Sequence, residues 1–150
     1  MAHVSHDELI FRTETWRMIP DYISGVFVVV MVFFYPLWQV IIAAIVLNVA
    51  LTILRLFFYS NLLRIVFALG IGHAFLQHIY YLAAAVYFGL NGSIPTAVIL
   101  LAWHFLGGIV TTAIGVPIES AIVRRISGLV DVREYLFRKM VASYDRNISQ

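Results

Sequence analysis

Four polar side chains in the most apolar part of the chain have the types and spacing to form hydrogen bonds or hold a ligand. Asn48, His73, Gln77 and His104 each fall near the middle of a long apolar stretch, with His73 and Gln77 on the same one. Uncompensated polar groups are costly in hydrocarbon, so side chains in such positions pair with one another or carry function. We expect these four residues to form one cluster at a common depth, where they hold neighbouring helices together by hydrogen bonds.

The histidines allow a second interpretation of this cluster. Two axial imidazoles on neighbouring helices can hold a b-type haem, so His104 paired with His73 or His78 is an alternative haem site. Arg55 and Arg64 could then meet the haem propionates.

A proton or small-ligand pathway through the same cluster is the third alternative. Proton relays inside membranes use acidic and imidazole side chains. The sequence has no Asp or Glu between Asp21 and Glu119. This gap argues against a proton-driven pump.

Catalytic patterns are missing from the sequence. The chain has no cysteine, which excludes thiol nucleophiles, disulfides and thiolate metal sites. It also lacks a His-Glu-x-x-His pattern and a glycine-rich phosphate loop, and residues 91–95 are typical of a turn rather than of a nucleophile elbow. We therefore predict that the protein is not an enzyme and holds neither a metal ion nor a resident cofactor.

The elements that must position these side chains are membrane-spanning helices. The 150 residues are 62% hydrophobic and 12% charged, with a mean hydropathy of +0.92, whereas about a quarter of the residues of a soluble domain are charged. This composition excludes soluble enzymes and nucleic-acid-binding proteins.

The sequence predicts four spans, at 22–35, 37–58, 63–88 and 94–116, with Pro36, the turn at 89–93 and Pro117 as their boundaries. The predicted fold class is an all-α integral membrane protein of one domain, a four-helix transmembrane bundle with amphipathic cytoplasmic terminal helices.

The charges predict how this bundle is oriented. All ten basic residues fall at one end of the predicted spans, and the connections at the other end, around Pro36 and Asn91, carry no charge. The positive-inside rule then places both termini in the cytoplasm. We expect a multi-pass protein of a bacterial inner membrane.

Both termini are expected to form helices at the cytoplasmic surface. The residues that begin at Ser5 and at Asp131 have the form of capping boxes. The tail, residues 118–150, is amphipathic, so its apolar face is expected to rest on lipid headgroups or to dock on a partner protein. The basic residues expected at the membrane surface are Arg124, Arg125, Arg138 and Lys139.

Small residues on the fourth predicted span form a helix-packing face. Gly107, Thr111 and Gly115 recur every four residues, and Gly108 lies beside them. Such residues let a neighbouring backbone approach closely. We expect partner subunits to bind this face or the amphipathic tail, so the expected partners are the lipid bilayer and other membrane-protein subunits, and no nucleic acid.

Residues from about 36 to 126 resemble the rod-shape-determining MreD family. The resemblance lies in Pro36-Leu37 before an apolar helix that ends at Arg55, a short connection with Arg64, Ile94-Pro95-Thr96 before the last span, and Val116-Pro117-Ile118 followed by Arg124-Arg125. It implies a small, non-catalytic inner-membrane subunit that partners a bitopic scaffold protein and the cell-wall elongation machinery. The family fold is like the ligand-binding membrane component of energy-coupling-factor vitamin transporters. A transporter component is therefore one alternative, and the haem-binding anchor of a respiratory complex is another.

Overall fold

The computed structural model describes residues 6–57 and 63–148, with side chains described over 7–8, 10–11, 13–57 and 76–142. The described residues are all-helical and contain no strand, which confirms the all-α prediction. The five helices are α1 (His6–Met31), α2 (Leu37–Phe57), α3 (Leu63–Leu90), α4 (Ile94–Ser127) and α5 (Val132–Ile148). Of the described helices, α2 and α4 are each long and apolar enough to cross a membrane.

The first helix differs from the predicted span at 22–35. α1 begins at His6 and passes through Pro20 to Met31 without a break, because a proline inside a helix removes one backbone hydrogen bond and neighbouring helices can compensate for the loss. Residues 32–35 then form a turn, in which the backbone N–H groups of Phe34 and Tyr35 both donate to the Met31 carbonyl at 3.0 Å. The predicted terminal helix and the predicted span are thus one element. Ser5, the first residue of the expected capping box, lies outside the described residues.

The fourth helix also continues past its predicted end. Pro117 lies inside α4, which ends at Ser127, so the boundaries at 116 and 118 were wrong. The residue that ends α4 is Gly128, whose φ of 73° is left-handed and whose N–H donates to the Arg124 carbonyl at 3.0 Å. Glycine adopts this conformation without the steric cost of a Cβ atom, which makes it a common helix stop.

Two apolar clusters hold the helices together, one toward each end. The first lies near the turn between α1 and α2 and near the start of α4; its buried members are Val28, Val32, Val40, Ala44, Tyr81, Ala84 and Leu100. The second lies at the opposite end; its buried members are Trp16, Ile19, Leu56, Val123, Val132 and Leu136. Between the two clusters the interior is lined by polar side chains.

The tail helix packs on its own chain. Leu136 and Met140 are buried on the apolar face of α5, and the Tyr135 hydroxyl donates to the Leu56 carbonyl at 3.3 Å. The expectation that this face rests on headgroups or on a partner was therefore wrong, because α1, α2 and α4 offer an apolar surface that it covers first. Asp131 caps α5 as predicted, since its carboxylate accepts a hydrogen bond from the Arg133 N–H at 2.8 Å, but Glu134 pairs with Arg138 instead of completing a capping box.

The predicted membrane-surface basic residues divide into two groups. Arg124 and Arg125 are exposed, and Arg138 is exposed and paired with Glu134 one turn away. Lys139 differs, because it is half-buried, donates to the Leu56 carbonyl and lies 5.1 Å from the centre of the Tyr135 ring. Three of the four are thus exposed, whereas Lys139 joins α5 to the end of α2.

Candidate functional site: a polar layer and two cavities inside the bundle

One face of α2 supplies the first wall of the polar layer. Ala44, Asn48, Thr52 and Arg55 are buried. Spacings of three and four residues place them on one side of an α-helix. The sequence predicts this stripe and its inward orientation, and the structure confirms both.

Asp21 of α1 joins three helices through its carboxylate. Its Oδ1 atom accepts a hydrogen bond from Asn48 Nδ2 of α2 at 2.8 Å and another from Thr111 Oγ1 of α4 at 3.1 Å. Asn48 Nδ2 also donates to Ser24 Oγ at 3.2 Å. A buried polar network in which each member has partners fixes how the helices pack. Asp21 was missed as a site residue, because the sequence marks it only as the residue just before the predicted first span.

A buried ion pair lies next to this network. Arg55 Nε donates to Glu119 Oε1 at 3.0 Å, and Arg55 Nη2 lies 2.7 Å from Oε1 and 2.8 Å from Oε2. The two side chains are 9% and 1% exposed. Arg55 Nη1 also donates to the Arg17 carbonyl. Guanidinium and carboxylate are matched in this geometry, which fixes α2 against α4 with a defined register.

A missed signal in the sequence could have located Glu119. Gly107, Thr111, Gly115 and Glu119 follow one another at intervals of four residues and are all buried. The pattern breaks only if Pro117 ends the helix. Because α4 continues through Pro117, Glu119 lies on the packing face of α4 and not in a separate tail.

The packing face itself is only partly as expected. Gly107, Thr111 and Gly115 are buried inside the chain, and a Cβ atom on Gly115 would lie 3.7 Å from Thr52 Cγ2. Gly108 is exposed, and a Cβ atom there would meet nothing within 4 Å. The buried face holds α4 against its own chain, so the expectation that partner subunits bind it was wrong.

A cavity of about 200 Å³ opens between α1, α2 and α4. It is large enough for several water molecules or a small solute. Glu14, near its mouth, pairs with Arg17 at 3.1 Å and with Arg133 of α5. The polar side chains that line it are Glu14, Arg17, Asp21, Asn48, Thr52, Arg55, Thr111, Thr112 and Glu119.

A second cavity, of about 120 Å³, begins where the first one ends. Asp21 and Thr111 line both, and Gln77 and His104 line the second. A Cβ atom on Gly25 would lie 2.9 Å from Gln77 Nε2, so the glycine lets α3 approach α1 closely here. Asp21 and Thr111 thus stand on the shared wall of two neighbouring cavities.

The predicted four-residue cluster is divided by this geometry. Asn48 belongs to the Asp21 network, whereas His104 contacts His78 and stacks on Tyr81 with ring centres 4.7 Å apart. Gln77 lines the second cavity, between these two groups. The side chain of His73 lies outside the described residues.

The His78–His104 contact does not fit an iron between the rings. His78 Nδ1 and His104 Nε2 are 2.6 Å apart, whereas two metal–nitrogen bonds of about 2 Å each, on opposite sides of an iron, need a larger separation. Within the described side chains, no group of three or more His, Asp or Glu residues is placed to hold a metal ion. The described residues therefore do not support a haem held by His104 and His78.

Comparison with known proteins leaves the site to be interpreted from its own chemistry. No protein-family model, curated protein or solved structure matches this chain.

Proposed function

We propose that the chain is a four-span protein of a bacterial inner membrane, with both termini in the cytoplasm, and that it is a non-catalytic subunit that positions partner proteins. The observation that carries this proposal is the apolar outer surface of the helices. Large apolar side chains are exposed along α2, α3 and α4, such as Val46 (63%), Ile79 (60%) and Ile109 (66%). Soluble monomers rarely expose a continuous surface of this kind, whereas a bilayer covers it.

The distribution of charge supports the same arrangement. Residues 22–54 and 65–118 contain no Asp, Glu, Lys or Arg. The charged residues of the described helices lie in the polar layer, as Asp21 and Glu119 do, or nearer to α5, and the turns at 32–36 and 91–93 carry none. Uncharged turns at one end and basic residues at the other are what the positive-inside rule expects of a protein with both termini in the cytoplasm.

The position of His78 supports a role as a subunit. His78 is exposed on α3 and lies twelve residues before Leu90, which is about 18 Å along the helix axis and near the middle of a hydrocarbon core of about 30 Å. A polar side chain that faces lipid at this depth is costly. His78 Nδ1 already contacts His104 Nε2, and a partner helix that covers the rest of the ring and supplies a second polar group would remove the remaining cost. The resemblance to the MreD family suggests that such a partner belongs to the cell-wall elongation machinery.

A second candidate function is the ligand-binding membrane component of a transporter. The observation that favours it is the polar cavity between α1, α2 and α4, because a purely structural subunit has no need of a charged cavity of about 200 Å³.

Site-specific photocrosslinking in native membranes tests the role as a subunit. Benzoylphenylalanine at Leu82, which lies one turn from His78 on the same face and is 58% exposed, is expected to crosslink to another membrane protein. The same group at Val46 of α2 is the matched control and is expected to crosslink to lipid alone. A bitopic scaffold or cell-wall synthase in the adduct supports a role in cell shape. Lipid adducts alone at both positions contradict the role as a subunit.

Cysteine labelling in the same membranes tests the arrangement of the spans. Because the chain has no cysteine, Asn91→Cys and Val130→Cys each introduce a single thiol, the first between α3 and α4 and the second between α4 and α5. In intact spheroplasts a membrane-impermeant maleimide should label Asn91→Cys. It should label Val130→Cys only after permeabilisation. Labelling of both thiols in intact cells excludes the proposed arrangement.

A further inference from the structure

The cavity between α1, α2 and α4 contains one carboxylate that no described cation neutralises. Asp21 accepts its two hydrogen bonds from neutral groups, those of Asn48 and Thr111. Among the side chains that the structure describes, no Lys or Arg forms an ion pair with Asp21. Both other acidic residues of the cavity are paired with arginine, Glu119 with Arg55 and Glu14 with Arg17.

The arginine one helical turn before Asp21 shares its carboxylate partner with a second arginine. Glu14 is shared by Arg17 and Arg133, so one carboxylate serves two guanidinium groups. The Nε atom of Arg17 is buried and has no hydrogen-bond partner within the described part of the chain. A buried donor without an acceptor is costly, and Asp21, which is half-buried, loses part of its hydration without gaining a cation. Arg17 and Asp21 line the same cavity and are separated by about 6 Å along the axis of α1.

We propose that this cavity binds a small zwitterion of the amino-acid class. The ammonium group of the ligand lies against the Asp21 carboxylate, and its carboxylate lies against the Arg17 guanidinium, which lines the same cavity. One ligand of this kind satisfies both unpaired groups and adds no net charge to the interior, whereas a simple cation or anion satisfies only one of them. The hydroxyl groups of Thr52 and Thr112 on the cavity wall offer further hydrogen bonds.

This inference names the ligand class for the transporter candidate and does not depend on the subunit role. Binding to the purified chain tests the cavity, whereas crosslinking in membranes tests the partner. Either result can fail while the other holds.

Ligand binding to the full chain in mild detergent tests the proposal. The probes are glycine, β-alanine and γ-aminobutyrate, which vary the distance between the two charges, and propylamine and propionate, each of which carries one charge. At least one zwitterion is expected to raise the melting temperature in a saturable manner and to bind at least tenfold more tightly than either single-charge probe. Asp21→Asn and Arg17→Gln should each weaken this binding at least tenfold. Arg125→Gln is the control, because Arg125 is an exposed arginine outside the cavity.

Protection of a cavity thiol from chemical modification tests the same site if Asp21→Asn fails to fold. Thr112→Cys places a single thiol on the cavity wall, and a saturating zwitterion should slow its modification by a methanethiosulfonate reagent at least fivefold. Propylamine at the same concentration should not slow it. Equal binding of propylamine and the zwitterions would show a simple cation site and overturn the proposal. The proposal would also be overturned if none of the three zwitterions bound to the chain or protected the thiol.

Discussion

At the scale of single residues, the Arg55–Glu119 pair is the most constrained contact in the bundle. Both side chains are almost fully buried, and three nitrogen–oxygen distances between 2.7 and 3.0 Å join them. Ion pairs of this kind lose hydration on burial, so their net contribution to stability is smaller than their attraction suggests. Removing one partner is different, because the other charge then stays buried without a counter-ion.

We predict that Glu119→Gln destabilises the chain by about 3 kcal/mol, because Arg55 keeps its buried charge. The double variant Arg55→Met, Glu119→Met should recover more than half of this loss, since it removes both charges and retains apolar volume. Unfolding in mild detergent, followed by tryptophan fluorescence, measures the free energy of unfolding of both variants.

Glu134→Gln is the control. It breaks the exposed pair with Arg138 and is expected to cost about 0.5 kcal/mol or less. A loss from Glu119→Gln no larger than the control's would contradict a structural role for the buried pair.

The sequence predicts the inward face of α2 but not the acidic residues that meet it. Asn48 and Arg55 lie on one stripe, and helical periodicity alone places them inside. Asp21 and Glu119 are separated from them by many residues along the chain, and their partners depend on how α1 and α4 pack against α2. Periodicity gives the direction of a side chain within one helix. It does not give the register between helices, on which each hydrogen bond of the polar layer depends.

At the scale of the helix, α1 and α4 each continue through a proline, and only Pro117 was taken as a boundary in the predicted spans. Pro20 and Pro117 both lie inside helices, although proline often marks a helix end in sequence. A packed helix tolerates the lost hydrogen bond because its other backbone bonds and side-chain contacts remain. The consequence for the site is direct, since continuation through Pro20 and Pro117 brings Glu14, Arg17 and Glu119 into the cavity.

Two glycines of α4 that lie seven residues apart, Gly108 and Gly115, should differ in what they tolerate. A Cβ atom on Gly115 would be in ordinary contact with Thr52 of α2, whereas a Cβ atom on Gly108 would meet nothing within 4 Å. Gly115→Leu should therefore push α2 from α4 and cost about 1–3 kcal/mol. Gly108→Leu should leave stability unchanged or raise it by up to about 1 kcal/mol through helix propensity. Unfolding of both variants in the same detergent measures the difference. Equal losses would mean that α4 does not present Gly115 to α2.

At the scale of the whole molecule, the described chain has three layers along its length. An apolar cluster at the end with the turns contains Val28 and Tyr81, and another at the opposite end contains Trp16 and Leu136. The polar network and the two cavities lie between them. The composition predicts an all-helical fold with an apolar exterior, because both follow from residue types. The division of the interior into layers could not be predicted, because it arises from contacts between helices that are distant in sequence.

The tail helix closes one of these layers, and its release should loosen the whole end of the chain at which α5 packs. Leu136 is 2% exposed and packs in the same cluster as Leu56 and Val123. Leu136→Ala removes buried methyl groups and should cost about 3 kcal/mol. Because α5 carries Arg133, Arg138 and Lys139, a loosened tail should also be cleaved by trypsin more than tenfold faster, with the first cuts inside α5.

Val130→Ala is the control, because its position is 75% exposed in the turn before α5. It changes apolar volume outside the cluster and should leave both the stability and the cleavage rate unchanged. Equal cleavage rates for the two variants would mean that α5 is not held by this cluster in solution. Faster cleavage only for Leu136→Ala would show that the tail is a structural part of the chain and that its apolar face is already occupied.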